Sequence, residues 1–223
     1  MPLYPTTPSS SQPTSSCIPP APIPIPNNDQ THTFTVLART TIPNTPPLAI
    51  LNLIRNLSTW KQWNTFCPHA VIKTPGTAVN GFENHDDWLT PGMVLTIDVH
   101  MNGDGKKSRT QDIEVTMLQE IKEGDRYVSP VRKQGGRGYV IAWKSLGWKG
   151  WQLRSVRIME FWEGEGGTEY VCWETFGGIL GSTVRRMVGS TLVDRFGDYA
   201  RDVREFFEKR EVADGDVDRV VEG

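Results

Sequence analysis

The sequence predicts an α+β domain in which an antiparallel sheet is closed by one long C-terminal helix. Three observations carry that expectation: Trp-rich alternating strands within residues 154–176, a Gly-Gly break at Gly177-Gly178, and an amphipathic run continuing to Arg210. A sheet followed by a single long helix can wrap a cavity, which points to a container for an apolar molecule before any catalytic motif is sought.

Residues 1–30 hold nine of the sixteen prolines, many Ser and Thr, and almost no aromatic residue. Such a segment cannot bury enough apolar surface to offset the entropy of ordering, so a disordered tail is expected, with local polyproline II character from Pro19 to Pro26. Order begins near Thr31. Phe34, Val36, Ala38 and Ile42 alternate with Thr35, Leu37, Arg39 and Thr41, the pattern of a half-buried strand. Thr45-Pro46-Pro47 reads as an N-cap followed by prolines in a helix's first turn, and Leu48, Leu51, Ile54 and Arg55 give a short helix. A second helical turn spans Ser58, Trp60 and Trp63.

Further strands are expected at residues 70–74, 93–101, 111–122, 139–144, 154–163 and 168–176. Met93, Leu95, Ile97, Val99 and Met101 share one face of the second of these, and Thr96, Asp98 and His100 the other. Asn102-Gly103-Asp104-Gly105 and the glycine-rich stretch 163–167 read as hairpin turns. The last helix presents Val184, Val188, Leu192, Phe196, Tyr199, Val203 and Phe206 on one side and mostly Arg and Asp on the other. About 28 residues give a rod of roughly 42 Å, enough to cross a small sheet. Gly189 and Gly197 within it are read as sites of curvature around the core. The organisation expected is therefore a tail at 1–30, one domain at 31–211, and a flexible acidic tail at 212–223.

Composition narrows the function classes. The 223 residues are 37% hydrophobic and 22% charged with a net charge of -2, and no basic stripe interleaved with aromatics argues for nucleic acid. No stretch approaches the ~20 apolar residues of a membrane span. The N-terminus has neither a signal-peptide pattern nor a transit-peptide pattern, so a cytoplasmic location is expected. Cys17, Cys67 and Cys172 are far apart with no CxxC pair, which argues against a disulfide framework and a structural zinc site. His85, Asp86 and Asp87 are adjacent and cannot all converge on one ion, so no metal is expected. The stretch 135–138 is Gly-rich and basic but opens no helix, and no nucleophile-elbow spacing is present.

Trp60-Lys61-Gln62-Trp63-Asn64-Thr65-Phe66-Cys67-Pro68, the strand at 154–163, and Trp173-Glu174-Thr175-Phe176-Gly177-Gly178 ahead of the long helix resemble the START-like (SRPBCC) superfamily, over about residues 31–210. That superfamily includes polyketide cyclases, lipid-transfer domains and coenzyme Q-binding proteins. The resemblance implies a helix-grip fold, with a curved seven-stranded antiparallel sheet around the long helix and an apolar cavity between them. It has no shared catalytic motif, so function must come from the cavity's own residues. No cofactor is implied. Three readings follow: binding of a hydrophobic small molecule (lipid, sterol, quinone or polyketide), a cofactor-independent polyketide cyclase, or a non-catalytic interaction protein using the Pro-rich tail.

Within a container, the expected ligand contacts are Trp60, Trp63, Trp143, Met159, Phe161, Phe176, Met187 and Leu192. The hairpin of the last two strands is sharper. If Phe161 lies opposite Tyr170, then Met159 faces Cys172 and Arg157 faces Glu174, while Ile158 meets Trp173 and Val156 meets Thr175. Alternation alone does not decide which face lines the cavity, and the expectation adopted is an exposed Arg157/Glu174 pair. In the other orientation Glu174, Arg157 and Tyr170 become candidates for acid/base or oxyanion work, with His69 as a further general base. His69 and His85 are expected to be solvated. Residues 79–91, carrying Trp88 and Leu89, read as a lid loop. Leu146, Trp148 and Trp151 form an aromatic loop that is expected to bury against the long helix, the alternative being a gate or a transient membrane contact.

Overall fold

The computed structural model describes residues 14–25, 31–102, 108–132 and 136–221, with side chains to Arg210. Eight strands form one curved, unclosed antiparallel sheet: β1 (Ser15–Cys17), β2 (Phe34–Pro43), β3 (His69–Thr74), β4 (Val94–His100), β5 (Ser108–Ile121), β6 (Gly138–Ser145), β7 (Arg154–Gly164) and β8 (Gly167–Gly177), in the order β1-β2-β8-β7-β6-β5-β4-β3. Helix α1 (Pro47–Arg55), a single 3₁₀ turn at Leu57–Thr59 and α2 (Trp60–Trp63) link β2 to β3, and α3 (Gly181–Val221) follows β8. This is the expected helix-grip arrangement with one strand more than expected.

The strands are where alternation put them, and the β7–β8 register is the expected one: Arg157 opposite Glu174, Met159 opposite Cys172, Phe161 opposite Tyr170. The turn joining β7 and β8 has Gly166 at φ 77°, a conformation glycine adopts without strain. The turn expected at Asn102 lies largely outside the described residues, as does Gly135. Thr45 does not cap α1. Pro46 occupies the N-cap position, and the Thr45 hydroxyl donates to the Pro43 carbonyl at 2.8 Å instead.

One side of the sheet faces the helices. Phe34, Val36, Ala38 and Ile42 from β2, Leu95 and Ile97 from β4, Ile141 and Trp143 from β6, Met159 and Phe161 from β7, and Tyr170 and Cys172 from β8 pack with Leu192, Phe196, Tyr199 and Val203 of α3. The helix face is the one its spacing predicts. Gly177 and Gly178 turn the chain out of the sheet: Gly178 has φ 90°, and a side chain there would meet the Gln152 carbonyl. The helix runs on to Val221, past the boundary at which a flexible tail was expected.

The other side of the sheet is also covered, which sequence reasoning did not anticipate. Ile121, Val140, Ala142, Ile158, Trp162, Val171 and Trp173 form a second apolar cluster roofed by Ile23 and Ile25 and by the segment carrying Tyr127 and Val131. The expectation of a disordered tail is therefore corrected for residues 14–25. Ser15–Cys17 adds the eighth strand beside β2, and Ile23 is buried. Residues 1–13 and 26–30 lie outside the described residues.

Side chains, not proline content, fix this strap. The Ile23 N–H donates to the Thr35 hydroxyl at 2.8 Å, and the Thr175 hydroxyl donates to the Ile23 carbonyl at 2.9 Å. Thr35 and Thr175 are themselves 2.8 Å apart, and because the Thr175 proton is committed, Thr35 donates between them. The result is a closed ring of three buried hydrogen bonds. The strap also passes close to the helix glycines: a Cβ at Gly197 would lie 2.8 Å from the Ser16 Oγ, and one at Gly189 would lie 3.3 Å from Ile18.

Replacing Thr175 by Val opens the ring and leaves a buried carbonyl unpaired. A loss of about 1–3 kcal/mol is expected in urea unfolding, together with faster amide exchange at Ile23. Unchanged exchange at Ile23 would show that the strap is held by other means.

Candidate functional site

The candidate site is a polar cluster at the centre of the helix-facing interior. Cross-strand register builds it in rungs: Tyr139–Phe161–Tyr170–Thr40, then Ile141–Met159–Cys172–Ala38, then Trp143–Arg157–Glu174–Val36, then Ser155–Phe176–Phe34. Residues at every second position of β7 and β8 therefore face α3, and Arg157, Glu174, Cys172 and Tyr170 share that face. The expectation of an exposed pair is corrected. Arg157 and Glu174 point inward, with side chains 6% and 13% exposed.

Their geometry is that of a buried ion pair. The Arg157 Nε and Nη2 both donate to the Glu174 Oε2, at 2.9 and 2.8 Å. The guanidinium also lies over three rings, 4.5 Å from the centroid of Phe196, 5.2 Å from Phe66 and 5.6 Å from Trp143. Burial is the largest single influence on the Arg157 pKa and acts to lower it, but the Glu174 carboxylate together with the neighbouring Cys172 and Cys67 outweighs it and the net shift is upward. The cation is thus fixed.

Around the pair lie groups that burial keeps neutral. The Cys67 thiol is pushed up to about 12, by burial first and against the pull of Arg157, and Cys172 to about 11 for the same reasons. Tyr170 and Tyr199 are fully buried, and their phenols are raised well above the ordinary value by desolvation. Neither phenol is well satisfied. The Tyr170 hydroxyl sits beside the Cys172 sulfur and meets no well-formed hydrogen-bond partner, and the Tyr199 hydroxyl reaches only the Met159 sulfur at 4.0 Å. An unpaired buried hydroxyl costs about 1–3 kcal/mol, which makes these two phenols natural donors to an incoming acceptor.

Of the expected ligand contacts, Trp60, Trp63, Trp143, Met159, Phe161, Phe176 and Leu192 fall in the helix-facing cluster. Trp60 donates through Nε1 to the Ile54 carbonyl at 2.9 Å, and Trp63 packs edge-on against Tyr199. Met187 does not join them. It is 75% exposed on the outer side of α3 and is withdrawn as a cavity residue. His69 is exposed at the start of β3, where it borders a surface groove of about 420 Å³ with Leu57, Lys61 and Ile72, so it does not converge with Glu174. His85 is exposed, its ring tilted against Trp88 with centroids 4.7 Å apart. The interior itself is filled by side chains, with Trp60, Phe66, Phe161, Tyr170, Phe196 and Tyr199 each under 2% or close to it.

Sequence reasoning missed Phe66, Cys67, Phe196 and Tyr199 as members of the cluster, and it missed Arg55. Arg55 is fully buried and holds the lid-like loop from below, donating to the Glu83 carbonyl at 2.7 Å and the Leu89 carbonyl at 3.1 Å beneath the rings of Phe82 and Trp88. Desolvation lowers its pKa to about 10, leaving it charged at neutral pH. Its signal was present: an arginine on the apolar stripe of α1, beside Ile54 and Leu51.

No protein-family model matches the chain. A curated relative, "Oxopyrrolidines biosynthesis cluster protein O" of Penicillium oxalicum, is 25% identical over 181 residues, covering 75% of this chain and 84% of its own. Among solved structures, a hypothetical protein of Helicobacter pylori superposes with a TM-score of 0.56 at 9% identity, covering 81% of this chain and 90% of that one. The Zhui aromatase/cyclase of a Streptomyces species does so with a TM-score of 0.52 at 12% identity (79% and 94%), and the ginseng major latex-like protein 151 of Panax ginseng with 0.51 at 11% (79% and 99%). The chain has the START-like fold. Among the described residues no helix is long and apolar enough to cross a membrane.

Two outcomes test the cluster. Glu174→Ala leaves the Arg157 cation buried and unpaired, with an expected loss of about 3–5 kcal/mol, whereas Arg157→Met with Glu174→Leu restores stability to near that of the parent. Equal denaturation midpoints for the single and double variants would contradict the ion-pair account. In the native protein at neutral pH a thiol reagent should modify the exposed Cys17 while Cys67 and Cys172 stay protected until unfolding. Because both buried thiols titrate above the ordinary 9.0, their contribution to stability is complete below pH 9 and is lost as pH rises towards about 11 and 12. The urea midpoint should fall across that window, and a flat profile would place the thiols in a polar setting.

Proposed function

We propose that this protein binds a hydrophobic small molecule carrying a carbonyl or related acceptor, held between the sheet and α3 with its polar end at Arg157, Tyr170 and Tyr199. The observation that carries the reading is the Tyr170 hydroxyl, buried without a well-formed partner among the described residues and two rungs from a buried guanidinium on the same face. The surrounding rings supply the apolar contacts that such ligands need. Binding requires side chains such as Phe66 and Phe196 to move aside, since they now occupy the interior. The START-like fold and a relative described as a biosynthesis cluster protein support a product or intermediate of small-molecule biosynthesis as the ligand class.

A second reading, a cofactor-independent cyclase, draws on the same cluster. A guanidinium with a phenol is suited to stabilising an enolate oxygen, and the Glu174 carboxylate is suited to accepting a proton beside it. Turnover would need Glu174 released from Arg157 when substrate enters. The two readings separate on Glu174→Gln: a carrier keeps its ligand with affinity changed by less than about tenfold, while a cyclase keeps binding and loses about 10²–10⁴ in rate.

The full chain would be purified and examined by native mass spectrometry, with organic extraction of any adduct. A stoichiometric apolar adduct is expected, and Tyr170→Phe should weaken its retention by about tenfold with the fold intact. An empty protein that also takes up neither fluorescent lipids nor aromatic polyketides would overturn the binding reading.

A further inference from the structure

Seven large apolar side chains are exposed among the described residues, and four of them, Trp148, Trp151, Ile179 and Met187, belong to the loop between β6 and β7 and to the start of α3. They are not scattered. The Ile179 N–H donates to the Trp151 carbonyl at 3.0 Å and the Leu180 N–H to the Gln152 carbonyl at 3.0 Å, so the tryptophan loop and the entry to α3 are stitched together. Trp148 and Trp151 are 54% and 58% exposed and Ile179 is 69% exposed, which replaces the expected burial of this loop against the helix. The loop is braced by hydrogen bonds. Gly147 makes the bend at φ 96°, the Gln152 N–H donates to the Lys149 carbonyl at 2.8 Å, and the Arg154 guanidinium donates to the carbonyls of Gly150 and Thr31.

Charge is arranged around the same patch. Residues 175–193 and 144–159 contain no Asp or Glu, but they carry Lys149, Arg185 and Arg186, all exposed. None of these three forms an ion pair among the described residues. Asp112, whose carbonyl accepts the Leu146 N–H, and Glu114, which pairs across the sheet with Lys144, each form an ion pair with a lysine, Lys73 at 2.7 Å and Lys144 at 2.8 Å. Two amphipathic indoles and two aliphatic side chains beside unpaired cations match an anionic lipid surface: rings enter the headgroup boundary and the cations meet phosphate and carboxylate groups.

We infer that this end of the molecule docks reversibly on anionic membranes through Trp148, Trp151, Ile179 and Met187, with Lys149, Arg185 and Arg186 as the electrostatic ring. The inference stands apart from the ligand reading, since it uses none of the interior residues. The orientation it gives is specific. The Arg157–Glu174 rung lies three residues in from the β7 and β8 ends that carry this patch, roughly 10 Å at strand rise.

The test is co-sedimentation of the full chain with vesicles of phosphatidylcholine alone and of phosphatidylcholine mixed with phosphatidylserine. Binding to the mixed vesicles is expected, weakened by salt. The variant Trp148→Ala with Trp151→Ala should reduce it by at least about tenfold, and Arg185→Ala with Arg186→Ala by about fivefold for each charge removed. Both pairs are exposed, so thermal unfolding of each variant should match the parent and separates docking from folding. Failure of the parent to bind mixed vesicles, or equal binding by the tryptophan variant, would overturn the inference. So would a concentration-dependent dimer in sedimentation that the same tryptophan substitutions abolish, because the patch would then be a contact between copies of this chain.

Discussion

The buried pairing of Arg157 with Glu174 is the constraint around which the interior is organised. A guanidinium taken out of water is tolerated only where its charge is met, and here one carboxylate oxygen accepts from two of its nitrogens while three aromatic faces surround it. The requirement propagates outward. It locks the register of β7 against β8, because a slip of one residue would send both groups to the other face. It also sets the depth of α3, whose Phe196 must reach the guanidinium, and of the α2–β3 connection, which brings Phe66 and Cys67 beneath it. The Asn64 side chain shapes that connection by accepting the Cys67 N–H at 2.7 Å.

Fixing those charges inward leaves the sheet's other face to be covered by something else. Val171, Trp173, Ile158 and Val140 are as buried as the residues beside α3, so β7 and β8 behave as central strands with two apolar surroundings. The N-terminal strap and the segment before β6 supply the second layer. Each is fastened by polar groups. The strap closes the hydroxyl ring of Thr35 and Thr175, and the other segment is held by Glu160, whose carboxylate accepts from Tyr127 at 2.6 Å, Ser129 at 2.7 Å and Trp162 at 2.9 Å. Burial of Glu160 raises its pKa even though all three hydrogen bonds favour the charged form, so desolvation dominates there.

This two-sidedness explains what was legible in the sequence and what was not. Alternation placed the strands and the hairpin register, and the three- and four-residue spacing placed the face of α3, because both patterns follow from local geometry. The inward direction of Arg157 and Glu174 could not follow from alternation, since on β7 and β8 both faces carry large apolar residues, Met159, Phe161 and Phe176 on one and Ile158, Trp162 and Trp173 on the other. The near-continuous apolar run was itself the sign of burial on both sides. Residues 14–25 were misread because composition weighs entropy against the apolar surface a segment carries alone. Ile18, Ile23 and Ile25 find theirs on a surface formed by distant strands. Phe66 joins its site through contacts far apart in sequence, which no local pattern encodes.

The interior is closed unequally at its two ends. At the Tyr139–Phe161–Tyr170 end, Phe82 packs edge-on against Tyr139, and the loop bearing it is tied down by a fully buried arginine. Opening that end would strip Arg55 of two carbonyls and two aromatic faces at once, leaving a charge without partners. At the Phe34–Phe176 end the closing elements are the stacked pair of rings, the bend at Gly177-Gly178 and the first turns of α3. These are apolar contacts and hydrogen bonds near the surface, and the Arg154 guanidinium that contributes to them is partly exposed, so they can part and re-form without stranding a buried charge. The ion pair lies one rung from that end. A molecule entering between β8 and the start of α3 would therefore reach Arg157 first, pass the Met159–Cys172 rung, and reach Tyr170 two rungs later.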